Sequence, residues 1–280
     1  MKRLLVLTAL AGLALLVGVS CKQDKKGNAP AVPGEETVLV ADSLKIECFT
    51  DAKTLQLRKD YSVEYILSVE YVIDDRLPQV VLDSMNCAIG KAMFGKENPQ
   101  VKSLAIANEA PVREWFEDGI WDGEEDEEDE EEEMYMKSGD WQLSGEFSHT
   151  APRGYTNYNI AGSQYMFGAA HGYYYFTPIV IDLSTGCRLR EGQLFREGYQ
   201  EQLSALLLKY LEEEDDYEEG ILLWDEGIQP NDNFTIDEDG ISYYFNPYEI
   251  AAYAYGLIQV NIPARALKPL LADKYAHIWE

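Results

Sequence analysis

The chain has 280 residues, and its 50 Asp and Glu residues against 23 Lys and Arg give a formal net charge of −27 at pH 7. This charge argues against nucleic acids and anionic lipids as partners, because clustered Lys and Arg bind both. Solubility is its simplest consequence, and a basic protein or a cation is the partner class it favours. Since 46% of the residues are apolar and 12% aromatic, most of the chain is expected to fold around a core.

The N-terminus predicts a location in the cell envelope. Met1-Lys2-Arg3 precedes the almost purely apolar residues 4–19, a stretch shorter than the roughly 20 residues of a membrane-spanning helix and typical of a signal peptide. It ends in Gly18-Val19-Ser20-Cys21, which resembles a bacterial lipobox with Cys21 as the lipidated residue, although Gly18 stands where leucine is commonest. An ordinary cleaved signal peptide with a chance cysteine is the alternative. We predict a signal peptide at 1–20 and an outer-membrane lipoprotein, facing the periplasm or the cell surface.

Residues 21–43 are predicted to form a lipid-anchored flexible tether. Residues 22–36 are polar, contain Gly and Pro, and have no apolar period, as expected of a linker. With Cys21 carrying lipid, three cysteines remain in an oxidising compartment, which allows one internal disulfide. Cys48 and Cys87 are the favoured pair because both lie in the same half of the chain. Three buried free thiols, with Cys187 as the third, are the alternative.

The first half reads as strand followed by helix. Apolar or aromatic residues occupy every odd position of residues 61–73, which predicts a strand with one face in the core. A weaker strand is predicted at 44–49. Pro78 suits the first turn of a helix, and the apolar spacing that follows predicts an amphipathic helix over 78–93 that ends near Gly95.

An acidic run follows this helix. Residues 124–133 are all Asp or Glu, and so many like charges repel one another and cannot be buried. A Ca²⁺ site would need turn-forming Gly or Asn between the carboxylates, and this run has none. We therefore predict a solvated, disordered insert at 122–134. Capture of a divalent cation or a basic protein is the functional alternative.

The second half alternates strands and helices. The patterns predict strands within 141–147, 155–167 and 173–183, a helix over 197–212, a hairpin of strands 234–236 and 241–245, a strand over 257–262 and a helix after Pro263. The sequence thus predicts an α+β fold, with helices packed on antiparallel sheets in two parts, 44–139 and 140–280.

Two motifs carry a family resemblance. One is Gly168-Ala169-Ala170-His171-Gly172, and the other is the string NPYEIAAYAYG at 246–256. Their order along residues 165–272 resembles the extracytoplasmic domain of RsiV-type anti-sigma factors, and the first half is similar, more weakly, to the domain that precedes it in PdaC-type deacetylases. The resemblance implies a role at bacterial envelopes, where the family includes a sensor that binds lysozyme. The sigma-binding segment and the deacetylase catalytic domain have no counterpart here, so the ligand-binding part is what the chain is expected to supply.

These motifs supply the candidate binding residues. The candidate contacts to a ligand or partner are His171, Asn246, Tyr248, Glu249, Tyr253 and Tyr255. For His171 and Glu249, a hydrogen-bonded structural role is the simpler interpretation. We predict no catalytic residue, metal ligand or cofactor, because the sequence contains no G-x-S-x-G, H-E-x-x-H, C-x-x-C or phosphate-binding glycine loop.

The expected function is that of a lipid-anchored envelope binding protein that is not an enzyme. Its expected partner is a lysozyme-like cell-wall hydrolase, sensed or inhibited, or a cell-wall glycan. One alternative is a cell-wall hydrolase or deacetylase that uses His171 and carboxylates. Another is a structural envelope lipoprotein without catalytic activity.

Overall fold

The computed structural model describes residues 44–120, 137–148, 150–213, 223–224 and 227–279, all of which belong to one compact unit. The predicted signal peptide, the tether with Cys21 and the acidic insert at 122–134 lie outside the described residues. None of the described helices is long and apolar enough to cross a membrane.

The larger sheet has seven strands. Its order is β1-β2-β3-β4-β6-β7, with β5 also paired to β4. The strands are β1 (Ile46–Arg58), β2 (Tyr61–Val72), β3 (Lys137–Ser148), β4 (Tyr155–Tyr165), β5 (Tyr173–Phe176), β6 (Ile179–Asp182) and β7 (Arg188–Leu189). All neighbours run antiparallel except β2 and β3. A parallel pair needs a long crossover, and this one contains α1 (Gln79–Phe94), α2 (Val101–Ala107) and α3 (Glu109–Gly119).

The first half of the sheet follows the predicted pattern. Alternate residues of β2 are buried, and α1 ends at Gly95, whose φ of 70° is the left-handed conformation of a helix C-terminus. The strand predicted at 44–49 is part of the longer β1. Helices α2 and α3 were not predicted, because each presents only a few buried residues to the core.

A smaller sheet, three α-helices and three short 3-10 helices make up the rest of the described fold. The strands β8 (Phe234–Ile236), β9 (Gly240–Phe245) and β10 (Ile258–Pro263) pair in the order β10-β9-β8. The helices are α4 (Glu191–Leu194), α5 (Gln200–Glu213) and α6 (Ala264–Leu267). The helix predicted after Pro263 is shorter than expected, since it passes into a 3-10 helix that contains Pro269. The α+β class is confirmed.

The central strands of the larger sheet serve two apolar cores. Ile179 and Ile181 of β6 enter the core beneath α1, α2 and α3, whereas Val180 enters the core shared with the smaller sheet and α5. Successive side chains of a strand point to opposite faces, so one strand can contribute to both cores. The boundary predicted between residues 139 and 140 falls inside β3.

A buried amide joins the two sheets. The Asn157 side chain on β4 donates to the carbonyl oxygen of Ile236 at 2.7 Å and accepts from the Ile236 amide at 3.1 Å. These are the two bonds that a neighbouring strand would supply. The amide thereby replaces main-chain pairing where the sheets meet.

The predicted disulfide between Cys48 and Cys87 is not formed. Among the described residues, Cys48, Cys87 and Cys187 are all in the thiol form. Cys48 lies on β1, with its sulfur 3.6 Å from Oγ of Ser68, while Cys87 lies on α1, where burial raises the pKa of its thiol. Cys48 and Cys87 lie in the same half of the chain, but on different elements, and they do not form a disulfide. Cys48 and Cys87 are partly buried, and Cys187 is exposed.

Candidate functional site

Two loops bring an aromatic cluster to the surface. The first loop connects β4 to β5 and carries the predicted His171. The second follows β9 and carries Tyr248 and Tyr253. We define the aromatic cluster as His171, Tyr174, Tyr248 and Tyr253. The His171 ring centroid lies 3.9 Å from that of Tyr253 and 6.2 Å from that of Tyr248. The Tyr253 centroid also lies 5.5 Å from that of Tyr248 and 6.0 Å from that of Tyr174.

His171 holds the cluster together by hydrogen bonds as well as stacking. Its Nδ1 lies 2.9 Å from the carbonyl oxygen of Gly172, and its Nε2 lies 3.1 Å from the Tyr248 hydroxyl oxygen. A carbonyl oxygen can only accept, so Nδ1 carries a proton, and Nε2 of the neutral ring accepts from the Tyr248 hydroxyl. The Gly172 oxygen also accepts a bond of 2.7 Å from the Tyr253 hydroxyl. The sequence-distant motifs are thus tied into one surface.

Tyr248 is held in an uncommon backbone conformation. Its φ is 73°, in the left-handed region, which costs a non-glycine residue roughly 1–2 kcal/mol. The residue is nevertheless 51% exposed, so burial in the core does not offset that cost. The fold therefore holds a half-exposed ring in a strained position, a combination that clusters at binding sites.

Asn246 and Glu249 support the second loop from behind. Asn246 is only 7% exposed; its Oδ1 accepts from the Phe176 amide at 2.7 Å, and its Nδ2 donates to Glu249 at 3.2 Å. The other carboxylate oxygen of Glu249 accepts from Asn231 at 3.1 Å. Both predicted contact residues thus have internal partners. Their geometry is that of braces which tie the Tyr248 loop to β5 and to the segment before β8.

Tyr255 lies beside the aromatic cluster. It closes the 3-10 helix that begins at Tyr253 and is 36% exposed. The following Gly256 has a φ of 69°, and a Cβ there would lie 3.0 Å from the Tyr174 hydroxyl. The glycine therefore permits both the turn and the close packing of Tyr174.

Two residues of this surface were missed by sequence reasoning. Trp224 is 42% exposed, and its indole N–H donates to the carbonyl oxygen of Tyr248 at 3.1 Å. The available signal was the short apolar run Ile221-Leu222-Leu223-Trp224, which has acidic residues on both sides. Tyr174 stands in a run of three tyrosines, and no pattern distinguishes it from its neighbours.

The chemistry available here is recognition by rings and hydroxyl groups. Burial, followed by the nearby Tyr174 and Tyr248, raises the pKa of Tyr253, so its hydroxyl remains a donor at neutral pH. The hydrogen bonds of the His171 ring go to a carbonyl and a phenol. Within the described ranges, no three His, Cys, Asp or Glu side chains are grouped so as to hold a metal ion.

A second polar cluster, which sequence reasoning did not identify, lies away from this surface. Glu191, 4% exposed, accepts from the Asp232 amide at 2.7 Å and from the Tyr199 hydroxyl at 3.0 Å. Asp232 in turn accepts from the Glu191 amide at 2.8 Å and from Arg190 at 2.7 Å. Burial raises the pKa of Glu191, and the bond from the Asp232 amide opposes that shift. This cluster fastens the segment before β8 to α4.

Comparison with known proteins finds a family model that matches part of the chain. Residues 192–265 match the family described as "Protein of unknown function (DUF3298)". That range contains Asn246, Tyr248 and Tyr253 but excludes His171. No curated protein matches the chain. The finer resemblance to RsiV-type and PdaC-type domains remains a prediction.

Solved structures share the fold. A DUF3298 family member from Bacteroides fragilis is similar with a TM-score of 0.68 and 22% identity, covering 85% of this chain and 98% of its own. A DUF3298 family protein from Pseudomonas aeruginosa is similar with a TM-score of 0.56 and 14% identity, covering 83% and 96%. Identities this low establish the fold alone. The chain thus has the fold of two solved DUF3298 proteins, and its residues 192–265 match the model of that family of unknown function.

Proposed function

We propose that this protein is a lipid-anchored binding protein of the bacterial cell envelope that recognises a basic protein partner, of the lysozyme-like cell-wall hydrolase class. The partner is proposed to dock on the aromatic cluster, with the exposed Tyr248 as its main contact. The observation that carries the proposal is the Tyr248 ring: half exposed, held at a φ of 73°, and hydrogen-bonded to His171.

The composition of the cluster supports a binding role. Exposed Tyr and Trp are enriched among the few residues that contribute most of the free energy at protein interfaces. Here the rings are oriented before any partner arrives, because His171, Gly172 and the Asn246 brace fix them. A surface that is ordered in advance loses less conformational entropy on binding.

The charge of the chain supports a basic partner. A net charge of −27 attracts cations over long distances and accelerates their encounter with the surface. Charge alone gives binding that salt abolishes. The proposal therefore assigns attraction to the acidic chain and specificity to the aromatic cluster.

The envelope location is supported by the N-terminal sequence and by the resemblance to the RsiV-type domain. The lipobox-like Gly18-Val19-Ser20-Cys21 would place the described domain at a membrane surface. Cell-wall hydrolases act in that compartment.

A calorimetric titration of the full chain with a basic C-type lysozyme tests the proposal. We expect a stoichiometric complex that persists at about 1 M salt, where exposed charges are screened, and after deletion of residues 124–133. Tyr248→Ala and Tyr253→Ala should each weaken it by about 30-fold, the roughly 2 kcal/mol expected of a central interface residue.

Trp115→Ala is the matched control, because Trp115 is similarly exposed, at 44%, but lies on α3 and outside the cluster. It should leave the affinity unchanged. The proposal is wrong if salt abolishes the complex, or if Trp115→Ala and Tyr248→Ala weaken it equally. A peptidoglycan fragment that binds in place of lysozyme, with the same Tyr248 dependence, would make the ligand a glycan. Turnover of peptidoglycan that His171→Ala abolishes would replace the binding role with an enzymatic one.

A further inference from the structure

A cleft with a different chemistry lies apart from the aromatic cluster. It has a volume of about 800 Å³ and forms where the loop before β4, the turn after β6, the turn between β8 and β9, and the C-terminal 3-10 helix Asp273–Trp279 meet. Small-molecule sites typically have volumes of ~300–1,000 Å³. None of the four cluster residues lines this cleft.

Hydrogen bonds between its walls hold the cleft open. The Leu183 amide donates to the carbonyl oxygen of Gly154 at 2.9 Å, which joins the turn after β6 to the loop before β4. The Trp279 indole donates to the carbonyl oxygen of Asp237 at 2.8 Å, which fixes the C-terminal helix against the turn between β8 and β9. The four segments that line the cleft are thus joined two by two through hydrogen bonds. A ligand would therefore bind to a preformed site.

Three basic side chains line this space. They are Arg153, Lys274 and His277, and none of them forms an ion pair within the described residues. In the described part of the chain, the Lys274 ammonium nitrogen lies 3.3 Å from the hydroxyl oxygen of the neighbouring Tyr275 and 4.9 Å from its ring centroid. In a chain with more than twice as many acids as bases, basic groups left without acidic partners in one cleft point to an anionic ligand.

The cleft is also lined by two acids, and within the described residues neither forms an ion pair with the three bases. Asp182 uses one oxygen to accept from the amide and the hydroxyl of Ser184, at 2.8 and 2.6 Å. Glu238 lines the opposite turn and, within the described residues, pairs with none of the three bases.

Tyr155 adds a hydrogen-bond donor. The residue is buried and lines the cleft, and its hydroxyl bonds to no described residue. Burial, together with Asp182 and Tyr275, raises its pKa to about 12. The hydroxyl therefore keeps its proton at neutral pH and can donate to a bound oxygen.

We propose that this cleft binds a small ligand through a carboxylate, which Arg153 and Lys274 hold by charge and the Tyr155 hydroxyl holds by a hydrogen bond. The carboxylate can belong to an acidic sugar or to the C-terminus of a short peptide. Trp279 and Tyr275 supply the apolar wall against which the rest of such a ligand packs.

Ligand-observed NMR titration of the full chain tests this site with two pairs of probes. One pair is a glucuronic-acid disaccharide and its methyl ester, and the other is dialanine and its C-terminal amide. At least one acid should bind at least tenfold more tightly than its neutral form. Whichever acid binds identifies the source of the carboxylate.

Arg153→Gln and Lys274→Gln should each weaken that binding by about tenfold, as expected when a charge-assisted bond is lost. Lys268→Gln, at an exposed lysine outside the cleft, should not. The proposal is wrong if neither acid binds below about 10 mM, if a neutral form binds as tightly as its acid, or if Lys268→Gln weakens binding as much as the cleft variants. Because the aromatic cluster is untouched in these variants, their outcome is independent of lysozyme binding.

Discussion

Asp232 and Tyr248 are the non-glycine residues with positive φ in the described chain, at 60° and 73°, and they differ in what holds them there. The amide of Asp232 donates to Glu191, its carbonyl accepts from Arg188, and its carboxylate accepts from Arg190 and the Glu191 amide. The Tyr248 carbonyl accepts from Trp224, while its side chain makes an exposed hydrogen bond to His171 and a ring contact with Tyr253. The strain at Asp232 thus secures the fold, whereas the strain at Tyr248 presents a ring to solvent.

The largest effect expected from this difference is the loss of stability in Asp232→Ala. The Glu191 amide and Arg190 each lose an acceptor, and Ala tolerates the left-handed conformation poorly, so the unfolding free energy should fall by about 2–4 kcal/mol. Asp232→Asn keeps an acceptor oxygen and should lose less. Urea titration measures both variants.

The control for Asp232 is Asp273→Ala. The Asp273 carboxylate is fully exposed and lies 3.9 Å from Arg196, and such surface pairs contribute less than about 1 kcal/mol. If Asp232→Ala destabilises the protein no more than Asp273→Ala, the hydrogen bonds of Asp232 are not what secures this segment.

Glycine variants at Asp232 and Tyr248 should differ in stability, and this is the next largest effect. Glycine adopts positive φ without strain, so Tyr248→Gly should be more stable than Tyr248→Ala by about 1 kcal/mol. Asp232→Gly relieves the same strain but still loses the carboxylate bonds, so it should remain less stable than the parent by at least about 1 kcal/mol. Thermal and urea unfolding of the three variants provide the measurement. Equal destabilisation by glycine at both positions would mean that the Tyr248 loop is structural as well.

The pH dependence of stability tests the buried cluster of Glu191 and Asp232. Burial raises the pKa of Glu191 above its ordinary value of 4.5, so the folded state binds its proton more readily than the unfolded state. The stability this carboxyl contributes is fully present below pH 4.5 and declines as the pH rises through the raised pKa. Glu191→Gln does not titrate, so the stability advantage of the parent over this variant should shrink over that interval.

Tyr199→Phe should strengthen the pH dependence of stability, whereas Glu191→Gln should weaken it. The Tyr199 hydroxyl donates to the charged carboxylate, and its loss should raise the pKa of Glu191 further and extend the decline to higher pH. Urea unfolding at a series of pH values distinguishes the two variants. Parallel pH curves for Glu191→Gln and the parent would show that Glu191 does not titrate differently in the folded state.

Sequence periodicity predicted the elements that bury a full face. It found β2, α1 and α5, because each repeats its apolar residues over three turns or more, or along a whole strand. It missed α2, α3 and α4, which have seven, 11 and four residues, since short elements with few buried residues are stabilised by packing rather than by a pattern of their own. It also could not place the Asn157 amide, whose partner on β8 is 79 residues away.

The candidate site shows the same limit. The motifs identified His171, Tyr248 and Tyr253, and the structure brings these rings together. The motifs did not distinguish the exposed rings from Asn246 and Glu249, because residues that support the loop and residues that could contact a partner are adjacent in the same motif. Only the fold shows that the amide of Asn246 is used by β5.

The smallest effect concerns the hydroxyl of Tyr248. Tyr248→Phe keeps the ring and the backbone strain but removes the donor to Nε2 of His171. An exposed hydrogen bond contributes little because water replaces it, so the unfolding free energy should change by no more than about 0.5 kcal/mol. Affinity for lysozyme should fall only a few-fold, about tenfold less than for Tyr248→Ala. Unfolding and calorimetry on both variants are the measurements, with Tyr210→Phe on α5 as the control.

The comparison of Tyr248→Phe with Tyr248→Ala shows which part of the Tyr248 side chain a partner contacts. If Tyr248→Phe retains most of the affinity, the buried area of the ring is what binds, and the bond to His171 serves to orient it. If Phe loses as much affinity as Ala, the hydroxyl itself contacts the partner, either as an acceptor that keeps its bond to His171 or as a donor that gives that bond up. Only in the second case is the Nε2 atom released in the complex, a change that nitrogen NMR of His171 detects directly.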